Sequence, residues 1–201
     1  AERAGMSKQS MGALVDQSVD LRTLLHPHLA GLALRSGETI HLAVLDGADI
    51  VYLDKFDSPL PVAAYSRIGG RAPAHCVASG KALLAALGPE VANVADLAQR
   101  LGPLAAHTPH TITQWPALQD ELLQTRARGY AVNREEWRLG VCGLGVPVFD
   151  ARGQAVAAVG MSVPSIRFSR AQVKTLATDL MHCALQCGRS LGYNAARSQT
   201  R

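Results

Sequence analysis

Residues 69–85 read Gly69-Gly70-Arg71-Ala72-Pro73-Ala74-His75-Cys76-Val77-Ala78-Ser79-Gly80-Lys81-Ala82-Leu83-Leu84-Ala85, a loop interrupted by glycine and proline that runs straight into an Ala/Leu-rich helix. Gly69 and Gly70 can adopt positive φ, and the residue before Pro73 is biased toward extended backbone, so the chain can turn sharply here. Helix propensity is high from Lys81 onward. A helix that begins near Val77 to Ser79 leaves backbone N–H groups without intrahelical partners at its positive end, which suits a carboxylate or a phosphate. The plainer alternative is that Ser79 only caps a structural helix.

Working outward, 201 residues that are 48% hydrophobic and 18% charged suffice for one domain of upper ordinary size, or one domain with an appendage. No apolar run approaches the roughly 18 residues of a membrane span, and no charged-then-apolar leader opens the chain. This points to a cytoplasmic protein without a membrane partner. The chain opens at Ala1 rather than methionine, which suggests a fragment whose upstream part is missing. The formal charge is +4, but Arg189, Arg197 and Arg201 lie in a tail without acids, leaving residues 1–188 at +1. A body so near neutrality is a poor match for DNA, so DNA contact would need a small dedicated element. Four cysteines without a secretory leader read as free thiols.

That dedicated element has one candidate. Residues 1–17 read like the middle of a helix-turn-helix, with Gly5 at the turn, Met11 and Leu14 facing inward, and a recognition helix over 7–17. Ser7, Lys8, Gln9 and Ser10 are the side chains suited to phosphates and base edges at its start. The unit is incomplete, lacking its first helix, most of its second and a wing, and the alternative is a linker helix running on into residues 20–34. From Val19 to Leu34, leucines at 21, 24, 25, 29 and 32 predict an amphipathic helix, with Pro27 expected to kink or interrupt it. Alternation over 40–45, a turn at 46–49 and a return over 50–56 predict a β-hairpin, and Val62 to Arg67 a third strand. Helices follow over 77–87, 91–101 and 115–128, the last with Gly129 placed to cap it. Strands are expected at 130–135, 141–149 and 154–163, then a final helix whose Val173, Leu176, Leu180, Cys183, Cys187 and Leu191 share one face. Hairpins at both ends of the strand set favour one antiparallel sheet with packed helices, an α+β fold.

Other chemistry in the chain is weaker. Glu135 and Glu136 are adjacent, so on a strand they point to opposite faces and cannot work as paired catalytic carboxylates. Cys142 and His75 could form a nucleophile pair, but nothing supplies an orienting third group. His182, Cys183 and Cys187 have metal-ligand spacing, yet both thiols lie on the apolar stripe and His182 faces away, which favours structural cysteines. The His26-Pro27-His28 run reads as surface. Lys81, early in its helix, is expected to point to solvent or bond a neighbouring loop.

The opening stretch resembles the loop-helix signature of the effector-binding domain of the IclR (isocitrate-lyase-regulator) family of bacterial transcription factors, with Gly69, Pro73, His75 and Gly80-Lys81-Ala82 in place. Asp20-Leu21-Arg22 with Pro27, Ser36 to Leu42, Thr111-Ile112-Thr113, Gly129-Tyr130, Glu135-Glu136 and Pro147-Val148-Phe149-Asp150 recur in the family's order. Together they cover about residues 18–193, leaving 1–17 as the partial helix-turn-helix or linker helix and 194–201 as a basic tail. The resemblance implies a GAF/PAS-like domain with an antiparallel sheet of about six strands flanked by helices. It also implies a non-enzymatic ligand sensor working as a homodimer or homotetramer, with no cofactor and no metal. The ligand contacts it implies fall on Ala78, Ser79, Asn133, Gly143, Gly160 and Ser162, around a small organic acid whose carboxylate sits at the helix start. Where relatives that bind two- or three-carbon oxo-acids carry an acid, a thiol and a second hydroxyl, this chain has Asn133, Gly143 and Gly160. The two glycines suggest a larger pocket for an aromatic or branched carboxylate. They could instead permit a strand bulge. The competing functions are an enzyme using Cys142 or His75 and a purely structural oligomerisation module.

Overall fold

Leu25, Leu29 and Leu32 are fully buried and Leu21 nearly so, and this three- and four-residue spacing decides how the first helix docks. The computed structural model describes residues 8–61, 66–87 and 94–194. Helix α1 (Lys8–Ser36) runs unbroken through Pro27. The expected interruption does not occur, although proline removes one backbone donor. Buried Leu25 and Leu29 flank the site, and His26 Nδ1 lies 2.6 Å from Asp54 Oδ2, so both sides of the proline are anchored to the body.

Strands β1 (Thr39–Asp46) and β2 (Asp49–Phe56) form the expected hairpin, closed by Gly47 at φ 65. Then come β3 (Arg71–Pro73), a 3-10 turn (Ala74–Cys76), α2 (Ala78–Ala85), α3 (Val94–Leu101) and α4 (Trp115–Arg128). Gly129 ends α4 at φ 83, its N–H donating to Thr125 O. Strands β4 (Ala131–Arg134), β5 (Val141–Phe149) and β6 (Ala155–Pro164) lead to α5 (Arg170–Ser190), which opens with a capping box between Ser169 and Gln172.

The six strands form one antiparallel sheet in the order β3-β2-β1-β6-β5-β4. This is the expected α+β, GAF/PAS-like arrangement. One face packs on α1 and α5 through Ile40, Leu42, Val146, Val159, Leu180 and Cys183. The other carries α2, with α3 and α4 outside it, through Leu83, Leu84, Leu97, Leu118 and Leu122. No described helix is long and apolar enough to cross a membrane.

The third strand is a correction. The reading of Val62 to Arg67 as strand falls partly outside the described residues, and Ser66 and Arg67 are not in a strand. The strand lies instead in the stretch read as loop, where Arg71, Ala72 and Pro73 pair with Val51, Ile50 and Asp49. An edge position tolerates Pro73, which has no N–H for a further neighbour. Arg71 fastens the edge by reaching Asp46 (2.6 Å) and Asp49 (3.1 Å).

The β1–β2 register slips between Leu42 and Ala43, so that Leu42 faces Asp54, Ala43 faces Tyr52, and Leu53 is the extra residue of a β-bulge.

Candidate functional site

Helix α2 starts directly over the sheet. Val77, its N-cap, is extended and offers no side-chain acceptor, and the first intrahelical bond runs from Lys81 N to Val77 O. Ser79 therefore sits inside the first turn and does not cap it. The amides of Ala78, Ser79 and Gly80 have no acceptor among the described residues.

Glycines let the helix come this close. A Cβ at Gly80 would overlap the backbone of Ala74, and one at Gly145 would overlap the Ala78 carbonyl and the Ser79 nitrogen. The space a side chain would fill at Gly160 is occupied by the Ser79 hydroxyl. Gly160 thus receives α2 and does not enlarge a pocket, which corrects the expectation drawn from that residue. At Gly143 a Cβ would stand 2.9 Å from Met161 O and 3.7 Å from Ala78 Cβ. Gly143 does form part of a cavity wall, but with little room to spare.

That cavity, about 230 Å³, lies between the α2 start and the inner sheet face. Of the six residues assigned from the resemblance, Ala78, Ser79, Asn133, Gly143 and Ser162 line it, while Gly160 does not. Its remaining wall includes His41, Tyr52, Ser66, Arg67, Arg71, Trp137, Arg138, Leu144 and Met161, with no acidic side chain among the described lining residues. Asn133 is buried; its Oδ1 accepts from Glu136 N at 2.8 Å, and its side-chain amide nitrogen has no hydrogen bond among the described residues.

His41 is buried, with Nε2 2.6 Å from Ser66 Oγ. Burial, helped by the Lys55 ammonium, lowers its pKa to about 4, so at neutral pH it is an uncharged imidazole. Burial pushes the Tyr52 phenol up to about 12, against the pull of Arg138, and it remains a neutral donor. Alternation in Ile40-His41-Leu42 places His41 on the face opposite its apolar neighbours, a signal that could have found it. Arg138 and Trp137 carry no such pattern.

Below the cavity, Lys81 is only 1% exposed. Its Nζ donates to Glu136 Oε1 and Oε2 at 2.7 and 2.9 Å, and to Glu121 Oε1 at 3.3 Å. Of the two expected placements, the loop contact is the one found. Burial pushes the Glu136 carboxyl above its usual range, and the Lys81 ammonium opposes the shift. Glu135 is not in a strand but at φ 60, and its Oε1 accepts the Gly140 N–H at 2.6 Å. The two carboxylates therefore have separate structural tasks.

The remaining candidates separate in the same way. Cys142 packs against the α1/α5 face and His75 lies on the other side of the sheet, so they form no nucleophile pair. Cys183 and Cys187 are core thiols and His182 is exposed, as expected. All four cysteines are free. The His26-Pro27-His28 run lies at the surface, as expected, with His26 and Pro27 exposed and His28 half-buried, and from there it helps to hold α1, His26 at Asp54 and His28 Nε2 at 2.8 Å from Ser190 Oγ. Of the four DNA-contact candidates, Ser7 lies outside the described residues; Lys8, Gln9 and Ser10 fall on the first turn of α1, with side chains outside the description.

The uncapped α2 start thus opens on a cavity with arginines and no described acid in its wall, on a six-stranded sheet with helices on both faces. The model of the family described as bacterial transcriptional regulator IclR, C-terminal, matches residues 13–189, and the chain belongs to that family. It is 36% identical over 193 residues to the HTH-type transcriptional regulator XynR of Escherichia coli K12, covering 96% of this chain and 75% of that protein. The crystal structure of the Thermotoga maritima IclR superposes with a TM-score of 0.81 at 34% identity, over 92% of this chain and 73% of that one. An IclR homologue from Microbacterium hydrocarbonoxydans complexed with 4-hydroxybenzoate gives 0.76 at 27% identity, over 87% and 69%. The relatives are transcriptional regulators, and the chain corresponds to the C-terminal part of such a regulator.

Proposed function

We propose that the cavity binds a small organic acid, aromatic or branched, with its carboxylate on the Ala78 and Ser79 amides and the Ser79 hydroxyl. The observation that carries this reading is the uncapped α2 start opening on a cavity whose described lining holds arginines and no acids. Asn133 and Ser162 supply neutral polar contacts, and Gly143 leaves the wall flat. A volume of about 230 Å³ suits a small ligand. The aromatic preference draws on the 4-hydroxybenzoate complex of the Microbacterium relative and on Tyr52 and Trp137 in the wall, rather than on Gly160. In this reading residues 18–193 are the effector domain of a cytoplasmic regulator, and 1–17 are a partial helix-turn-helix or linker helix that brings Ser7, Lys8, Gln9 and Ser10 toward DNA. Residues 194–201 are a basic tail. Effector binding rearranges homodimers or homotetramers and so changes operator affinity.

The test is thermal unfolding against carboxylates graded from glyoxylate through branched acids to benzoates, repeated on Asn133→Ala. A ligand at about 100 times its Kd adds about 2.7 kcal/mol. A selective rise that Asn133→Ala diminishes supports the site. A flat response across the panel removes the sensor reading, and a response untouched by Asn133→Ala moves the ligand elsewhere.

A further inference from the structure

Outside the cavity, the chain gathers three soft or borderline donors that the sensor reading does not use. His75 and Cys76 sit side by side on the 3-10 turn just before α2, and His107 reaches them from the loop between α3 and α4. One ligand atom from each lies within 4.8 Å of the others, and His75 and Cys76 are buried while His107 is exposed. This is the one such group of three among the described residues. We propose that His75, Cys76 and His107 form a binding site for a thiophilic divalent cation, with zinc the ion that imidazole and thiolate donors favour.

The setting has the supports a metal site needs. His75 Nε2 is held 3.2 Å from Ala105 O, which orients the ring, and its other nitrogen has no hydrogen bond among the described residues. His107 is steered by its neighbours: its ring packs edge-on against Trp137 at 4.4 Å, and its backbone N–H donates to Thr111 Oγ1 at 3.0 Å. Thr111 in turn donates to Glu136 O at 2.6 Å, and Thr108 Oγ1 to Glu135 O at 2.7 Å, fixing the loop to the body. The Cys76 thiol makes only a long contact, 3.5 Å to Pro73 O.

Zinc bonds of about 2.0–2.3 Å place tetrahedral ligands roughly 3.5 Å apart. Closing from within 4.8 Å therefore asks for a shift of about an ångström, which the exposed His107 side chain can supply. Binding releases the Cys76 proton to solvent and leaves the fourth position to water. The nearby Lys81 ammonium is already neutralised by Glu136 and Glu121, so it opposes the ion weakly. The ion would tie the α3–α4 loop to the turn that feeds the α2 amides.

The test is titration of the metal-free 201-residue chain with Co²⁺ and then Zn²⁺. One equivalent of Co²⁺ should produce a near-ultraviolet thiolate-to-cobalt charge-transfer band that Zn²⁺ removes. Cys76→Ser should abolish the band and Cys142→Ser leave it. His107→Ala, with its fold checked by circular dichroism because the Trp137 contact goes with the ring, should weaken binding more than about tenfold. No band in the parent chain, a band that survives Cys76→Ser, or equal affinity in His107→Ala each overturns the proposal.

Discussion

Replacing Lys81 by methionine removes the ammonium but keeps most of the side-chain volume, and leaves Glu136 buried without its partner. In the parent chain the two are 2.7 Å apart, with Lys81 1% exposed and the Glu136 side chain 8%. Breaking one side of such a pair costs about 3–5 kcal/mol, because the remaining carboxylate is neither solvated nor neutralised. For a chain of this size each kcal/mol corresponds to roughly 2–4 °C, so the melting temperature should fall by roughly 6–20 °C. Glu121 is spared, since Arg128 Nη2 still reaches it at 2.7 Å. Burial already pushes the Glu136 pKa up, and without Lys81 it should rise further. A carboxyl with a raised folded-state pKa destabilises the fold above its unfolded pKa and not below it. The deficit of Lys81→Met relative to the parent should therefore shrink as pH falls from 8 toward 5. The double variant Lys81→Met/Glu136→Gln removes the charge while keeping an acceptor for Arg134 N, and should recover most of the loss. Urea unfolding at several pH values reads all of this. A loss below about 1 kcal/mol, or a double variant no better than the single, would show that the pair does not hold α2 to the body.

Gly145→Ala drives a methyl group into the α2 backbone at Ala78 and Ser79 and should cost about 1–3 kcal/mol or more, read as a lower melting temperature; Gly160→Ala, which meets only a rotatable hydroxyl, should cost less. His41 has a folded-state pKa lowered to about 4 from 6.5, so it adds stability above pH 6.5 that is lost as pH falls toward 4, about 3 kcal/mol in all. His41→Gln should flatten that part of the stability-versus-pH curve, and an unchanged slope would contradict the assignment. Ser169→Ala should cost about 1 kcal/mol by removing the acceptor for Gln172 N, measured by denaturant midpoint.

Elements with a sustained period were legible. The leucine steps of α1, the alternation of β1, the long strands β5 and β6, and the Gly129 stop of α4 all appear where periodicity and turn chemistry placed them. The strand β3 was not, because three residues including a proline carry no period, and its pairing depends on where β2 lies. Among the site residues, the helix start at Ala78 and Ser79 follows from local glycine and helix signals. Gly160 was assigned the wrong task because its role depends on Ser79 landing on it from 81 residues away. The partners Lys81 and Glu136 are 55 residues apart, and no local pattern ties them. Arg67 and Arg138 at the cavity are placed by tertiary contact alone.

The bulge at Leu53 bears on how such domains can be recombined. In a regular strand Tyr52 and Asp54 would share a face; here one lines the cavity and the other grips His26 of α1 across the sheet. A graft that copied the cavity side chains of β2 but dropped the extra residue would reverse one of the two, trading a binding wall for a loose helix. Ligand preference and helix anchorage are thus inherited together, spelled out by three consecutive residues.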